Sequence, residues 1–326
     1  MLNSRLDPEA IALAHQQLAA AQQILVVAHV HPDGDAIGSL LGLGLALKNA
    51  GKSVQLVSED GIPGPHRQIP GSDLVRQKFE GPVDLSIVVD CSDRERAGKA
   101  LQKIDMPDWN IDHHITNLNF AKLNLVDPKA VATAEVIADL IPAFGLEMTP
   151  DIATALLTGI ITDTIGFQTS NLTSKALRLA ADLMDMGVNL PMLYRRSLVQ
   201  RSFEAVRLWG AGLSQIERDQ GLVWATLTLT DRQVIGYSGR DDADLIQVLF
   251  SIEDAHIAII FVEQPNQSVK VSWRAHPGYD ISKIALQFGG GGHPSAAGAE
   301  VAGTLAEAYA AVIPATRILL EKDGNE

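Results

Sequence analysis

Two short runs, Ile24-Leu25-Val26-Val27-Ala28 and Leu85-Ser86-Ile87-Val88-Val89, are apolar at nearly every position, not at alternate ones. A strand of that kind must be covered on both faces, as in a buried parallel sheet. The flanking pattern supports this. After the polar stretch 29–34, apolar residues continue at helical spacing through Lys48, and further strands are expected at 53–58 and, more briefly, at Trp109-Asn110-Ile111. Helical length and periodicity recur over 132–141 and 151–164, and Thr173 has the character of an N-cap for a helix that runs to about Met186 and stops at Gly187. The first half therefore reads as α/β.

The stretch 190–209 is helical in pattern and rich in arginine (Arg195, Arg196, Arg201, Arg207), and is taken as a connector between a first domain at 1–189 and a second at 210–326. Strands are expected there at 222–230, 256–263 and 268–275, with helices at 241–252, 280–288 and 305–321. The second domain is a smaller α/β unit, and four glycines, 289–292, precede His293. A length of 326 residues suits two cores. No apolar run reaches the roughly 18 to 20 residues that span a bilayer. The N-terminus lacks the basic start and apolar stretch of a secretory signal, so a cytoplasmic protein with no membrane partner is expected.

Cys91 is the single cysteine, which excludes an intramolecular disulfide and a cysteine-based zinc cluster. Any metal must sit on histidines and carboxylates. A formal charge of −13 argues against tracking long duplex nucleic acid, which needs many Lys and Arg contacts to phosphate.

His29-Val30-His31-Pro32-Asp33-Gly34-Asp35 puts two imidazoles and two carboxylates directly after a buried strand, at the sheet edge where open α/β folds hold ligands. Turn formation alone would account for the Asp and Gly but not for the histidines. Asp90 ends the second apolar run, and Asp112-His113-His114 ends the next strand. Asp163 closes the apolar stretch ATALLTGIIT, where an unpaired carboxylate would be costly. Single-residue explanations exist: Asp90 could cap the following segment, and Asp163 could take a backbone amide. Oxygen and imidazole donors without thiolate suit Mn²⁺ as first choice, with Mg²⁺ or Co²⁺ as alternatives and Zn²⁺ tolerated. The number of such donors exceeds the needs of one catalytic ion, so two divalent cations flanking a nucleophilic water are expected.

Taken in order, AHVHPDGDAIGS, VVDCSDRERAG, NIDHH, TGIITDTIGF and GGGGHPSAAGA resemble the DHH phosphoesterase superfamily with its companion DHHA1 module, over nearly the whole chain. The resemblance implies a parallel-sheet DHH domain followed by a smaller α/β DHHA1 domain, with the active site in the cleft between them. It implies His29, Asp33, Asp35, Asp90, His113 and Asp163 as metal ligands, with Asp90 bridging and His31 a neighbour only. His114 is implied beside the scissile phosphate, with Asp112 orienting its neighbours. Arg274, Gly290, Gly291, Gly292 and His293 match substrate-binding positions, and Arg96 falls where related proteins have an arginine. An arginine in a strand and a glycine run also have bland readings, as a solvated residue and a flexible loop.

Within the superfamily, compact two-module chains resemble the NrnA-type enzymes, which degrade short oligoribonucleotides and dephosphorylate 3′-phosphoadenosine 5′-phosphate. Partners would then be short RNA or small phosphorylated nucleotides. A homodimer is compatible with the chain but no pattern demands one. A phosphodiesterase for cyclic dinucleotides or linear pApA-type products is the runner-up. RecJ-type exonucleases are longer, family II pyrophosphatases match the glycine-rich module poorly, and a non-catalytic binder would not need the full ligand set.

Overall fold

The computed structural model describes residues 5–322, with the side chains of 321 and 322 left aside. The chain folds as two units, Met1–Gln200 and Arg201–Glu326.

The first unit runs α1 (Pro8–Ala20), β1 (Gln23–Ala28), α2 (Gly34–Asn49), β2 (Ser53–Val57), β3 (Val75–Arg76), β4 (Leu85–Val89), β5 (Trp109–Asp112), β6 (Leu123–Val126), α3 (Thr133–Ala143), α4 (Pro150–Asp163), α5 (Ser174–Asp185) and α6 (Leu190–Tyr194), which continues as a π turn through Val199. Its sheet is six-stranded and parallel, in the order β3-β2-β1-β4-β5-β6. The unbroken apolar runs have the expected cause. Ile24, Val26 and Ala28 of β1 enter a core packed with α2, α3 and α4, while Leu25 and Val27 enter a second core on the opposite face. That second core is roofed by Cys91 and by Ala97, Ala100 and Leu101 of a 3₁₀ stretch, Glu95–Leu101. Helices α2 and α4 approach closely: a Cβ on Gly38 would lie 2.5 Å from the carbonyl oxygen of Ala155.

In parallel pairing, Ala28 lies beside Val89, and Val89 beside Ile111. The residues that follow β1, β4 and β5 therefore emerge side by side at the carboxyl edge. This register positions the candidate site.

The second unit runs α7 (Phe203–Leu213), β7 (Glu217–Asp219), β8 (Leu222–Leu227), α8 (Leu229–Ile235), α9 (Leu245–Phe250), β9 (Ile257–Gln264), β10 (Ser268–Ala275), α10 (Ser282–Gln287), β11 (Gly291–His293), β12 (Ala296–Ala302) and α11 (Leu305–Lys322). The six-stranded sheet has the order β11-β12-β10-β9-β8-β7; β8 and β9 pair in parallel and all other neighbours antiparallel. One face packs Trp224, Phe261 and Trp273 with α10 and α11. The other packs Val223, Ala258 and Ile260 against Leu208 of α7 and Leu245 and Leu249 of α9.

Several boundaries differ from the sequence reading for local reasons. The stretch 190–209 divides at Gln200: α6 and its π turn stay with the first unit, and Ser202 caps α7 by accepting from the Ala205 amide at 3.1 Å. The strand expected to reach residue 230 stops at Leu227, because Thr228 and Asp231 form a reciprocal capping box that starts α8. The helix expected from 241 begins only at Leu245, after Ala243 and Asp244 adopt positive φ of 51° and 64°. Edge strands β3 and β7 were not anticipated, and part of the glycine run is strand β11.

Candidate metal centre

His29 follows β1 directly, and its Nδ1 lies 2.8 Å from the Val30 carbonyl oxygen, leaving Nε2 3.5 Å from Asp90 Oδ2. Asp33 is the N-cap of α2, where Oδ1 accepts from the amides of Asp35 and Ala36 at 3.0 Å each. Turn chemistry thus explains part of Asp33's role, but its carboxylate also stands in one group with His29 and Asp90. His31 points elsewhere: it is exposed, with Nδ1 3.2 Å from Asp60.

Asp90 sits in the left-handed region, with φ 56°, immediately after β4. It does not cap the segment after it. Its Oδ1 accepts from the Thr133 hydroxyl at 2.9 Å. His113 leaves β5 with Nδ1 3.3 Å from the Ala130 carbonyl, while its Nε2 lies 3.5 Å from Asp163, 3.9 Å from Asp90 and 4.0 Å from Asp35. Asp163 is the last residue of α4.

Six residues drawn from four separate segments are thereby brought together. Their ligand atoms form the groups His29/Asp33/Asp90 and Asp35/His113/Asp163, and a third group, Asp90/His113/His114, shares members with both; within each group the atoms lie within 4.8 Å of one another. Asp90 is common to two of them. His114 was expected to face substrate only, yet its Nδ1 is 3.7 Å from Asp90, and it is held 2.6 Å from Asp112 Oδ1. The other oxygen of Asp112 accepts from Asn117 at 2.5 Å.

The electrostatics of this cluster are those of crowded like charges. Asp35 and Asp90 are each 1% exposed. Burial, then the neighbouring charges of Asp90, Asp163 and Asp33, push the Asp35 carboxyl well above its ordinary range, although the Ala134 amide opposes this. Burial likewise lifts Asp163 to about 7, against the pull of His113. Asp90 goes the other way: burial would raise it, but the hydrogen bond and charge of His29, with His114 and His113, hold it well below the carboxylate range. Burial opposes protonation of His114, and Asp112 and Asp90 outweigh it, giving about 9.

Among the described residues no lysine or arginine forms an ion pair with Asp35, Asp90 or Asp163. Buried carboxylates pressed together without such a partner, with imidazoles aimed between them, fit divalent cations.

Sequence reasoning missed the residues that stiffen the cluster. Thr133, at the start of α3, also donates its amide to Asp35 Oδ2 at 2.6 Å, and Ala134 donates to Oδ1 at 3.0 Å. Asp35 therefore caps α3, whose own N-cap residue, Ala132, makes no side-chain cap bond. Behind it, buried Glu135 accepts from the Val131 amide at 2.9 Å and pairs with Lys175 at 3.0 Å, fixing the loop that carries Ala130. The only available signal was a polar Thr-Ala-Glu in an otherwise apolar stretch.

Arg96 lies at the margin of this cluster; its carbonyl accepts from Val30 at 2.7 Å, and its charge disfavours protonation of His114. In the second unit, Arg274 on β10 pairs with Ala296 of β12, which pairs with His293 of β11, so the three share one face of the sheet. The glycines divide by cause. A Cβ on Gly290 would lie 2.1 Å from the Gly298 carbonyl, and one on Gly292, at φ 140°, 2.5 Å from that of Ala296, so both serve the approach of β12. Gly291 has nothing within 4 Å and is open.

Residues 23–160 match the DHH family, N-terminal domain, and residues 234–316 match the DHHA1 domain. The bifunctional oligoribonuclease and PAP phosphatase NrnA of Thermus thermophilus is 36% identical, over 97% of this chain and 96% of that one. The cyclic-di-AMP phosphodiesterase PdeA of Listeria monocytogenes is 24% identical over 96% of this chain but only 50% of its own length. The crystal structure of an exopolyphosphatase-related protein from Bacteroides fragilis has the same fold, with a TM-score of 0.88, 24% identity and 98% of each chain covered. With the four motif-bearing segments of the first unit gathered at its sheet edge and a relative matched end to end, this chain belongs to the DHH phosphoesterase family, its DHH N-terminal domain followed by a DHHA1 domain.

Proposed function

We propose that the chain hydrolyses short oligoribonucleotides and removes the 3′-phosphate of 3′-phosphoadenosine 5′-phosphate, using two divalent cations, Mn²⁺ by preference. The observation that carries this reading is the convergence of His29, Asp33, Asp35, Asp90, His113 and Asp163, in a chain matched over its length by a relative named for both activities. His29, Asp33 and Asp90 would hold one ion, and Asp35, Asp90, His113 and Asp163 the other. Ions so held supply a water of lowered pKa and positive charge for the phosphoryl oxygens.

The protein's own groups prepare that chemistry. Thr133 and His29 fix the rotamer of Asp90, and the Ala130 carbonyl turns His113 so that Nε2 faces the carboxylates. His114, anchored through Nδ1 on Asp112, would donate through its other ring nitrogen to a phosphoryl oxygen, with Arg96 as a cationic donor. In the second unit, Arg274, His293 and the open backbone at Gly291 recognise the nucleotide's phosphate. The acidic surface disfavours long strands, and no helix among the described residues is long and apolar enough to cross a membrane.

Initial rates with Mn²⁺ on RNA of two, five and twenty nucleotides, 3′-phosphoadenosine 5′-phosphate, a cyclic dinucleotide and pyrophosphate test this. The expected result is fastest turnover of the dinucleotide, abolished by EDTA. Dominant turnover of pyrophosphate or the twenty-mer overturns the reading. Dominant turnover of the cyclic dinucleotide would instead favour the second reading, for which the partial match to PdeA speaks.

A further inference from the structure

The sheet of the second unit has one face that its helices cover only in part. On β9 and β8 this face is closed by α7 and α9 through Ala258, Ile260 and Val223. On β10 the same face carries Ser272 and Arg274, since these pair with Ile260 and Ala258. Across the ladders, Ser272 pairs with Gly298, which pairs with Gly291, while Arg274 pairs with Ala296, which pairs with His293. Arg274 and His293 thus flank a floor of Ala and Gly.

Pairing continues one step past β10, where the His276 amide donates to the His256 carbonyl at 3.0 Å. Alternation puts His276 on the Arg274 face, two residues further along, roughly 6.5 Å at about 3.3 Å per residue. Its ring is exposed and lies against Phe250 at the end of α9, with centroids 4.4 Å apart and planes tilted 32°. Phe250 itself packs on the α7/α9 core, so it backs the imidazole and fixes its plane.

We propose that His276, supported by Phe250, is a nucleobase-stacking platform that works with Arg274: the guanidinium takes a phosphate and the imidazole the base of the same nucleotide. The proposal rests on the hydrolase reading above and deepens it by naming what distinguishes a nucleotide from a bare phosphate ester. Stacking tolerates any base, because every base has a π-face, which suits an enzyme for short RNA of mixed sequence. A second ring pair serves for comparison: exposed His256 lies against half-buried Tyr279, with centroids 5.7 Å apart, and Tyr279 packs with the core that holds Trp273.

The test uses the full chain with Mn²⁺ and a dinucleotide, compared with analogues abasic at either position. His276→Ala should raise KM for the natural dinucleotide on the order of tenfold. It should leave kcat and the KM of the better-tolerated abasic analogue nearly unchanged, and His276→Phe should restore KM. Tyr279→Leu should match the wild type in KM. An unchanged KM in His276→Ala, or an equal rise for natural and abasic substrates, overturns the proposal. Independently of turnover, adenosine 5′-phosphate should bind the protein more tightly than ribose 5-phosphate, and His276→Ala should erase that preference. Equal binding of both by the wild type also overturns it. Absence of any turnover, with the binding preference intact, would instead count against the hydrolase reading alone.

Discussion

The two units handle charge in opposite ways. The parallel-sheet unit gathers acids after β1 and β4, buries Asp35 and Asp90 among them and tolerates their repulsion, whereas the mixed-sheet unit places Arg274 and His293 on a partly open face floored by small residues. The first is a centre that is complete only with added positive charge. The second already carries a cationic side chain, that of Arg274. If the first unit does the chemistry and the second the recognition, as proposed, the two tasks make different demands on folding.

The sharpest way to break this contrast is Asp90→Asn. Asparagine tolerates the left-handed φ of 56° that alanine would not adopt readily, so the variant should fold. It should lose about a hundred- to a thousandfold in kcat, the scale of removing a preorganised electrostatic group, while circular dichroism stays unchanged. Activity within a few fold of wild type would remove Asp90 from the bridging role.

Arg274→Ala attacks the other unit. Loss of a charge-assisted hydrogen bond is worth about 1.5–3 kcal/mol, or roughly ten- to a hundredfold in KM, with kcat much less affected. A fall in kcat of equal size would mean that the second unit takes part in chemistry. Thr133→Val keeps the shape and removes the hydroxyl from Asp90; Mn²⁺ affinity, measured by calorimetry, should fall about tenfold or more.

The metal-free protein should also report its crowded acids through pH. Asp163 stands at about 7 in the fold against an ordinary 3.8, so it keeps a proton that the unfolded chain has lost. Its contribution to stability is complete below the ordinary value, and is lost as pH rises through about 7. Mn²⁺ must displace that proton, so the rise in Tm on adding Mn²⁺ should be larger at pH 8 than at pH 5.5. An equal rise at both would contradict the shift. The smallest expected effect separates the glycines. Gly290→Ala should cost about 1–3 kcal/mol by overpacking against β12, whereas Gly291→Ala should leave Tm unchanged, so any change in KM there reads ligand contact.

Much of this was legible because the signals were strong. The strands β1 and β4 are apolar on both faces, and the ligand residues are types that turns and caps do not require together. Thr133 escaped notice because it is uncharged and its partners lie 43 and 98 positions away, which no local pattern records. The edge strands Val75–Arg76 and Glu217–Asp219 are too short and polar to alternate visibly. The capping box at Thr228 and Asp231 was readable and was overrun by the apolar pattern before it. Of the glycines matched to substrate binding, Gly290 and Gly292 serve the close approach of a neighbouring strand, which no local pattern announces.

Asp35 is shared between two tasks, since the carboxylate that faces His113 also receives the first two amides of α3. On the proposed reading, a cation held by Asp35 would draw electron density from those oxygens and weaken them as acceptors toward the opening turn of a helix rooted far along the chain. The amide protons of Thr133 and Ala134 would then gauge occupancy, their resonance and exchange with solvent following the filling of the centre without any label.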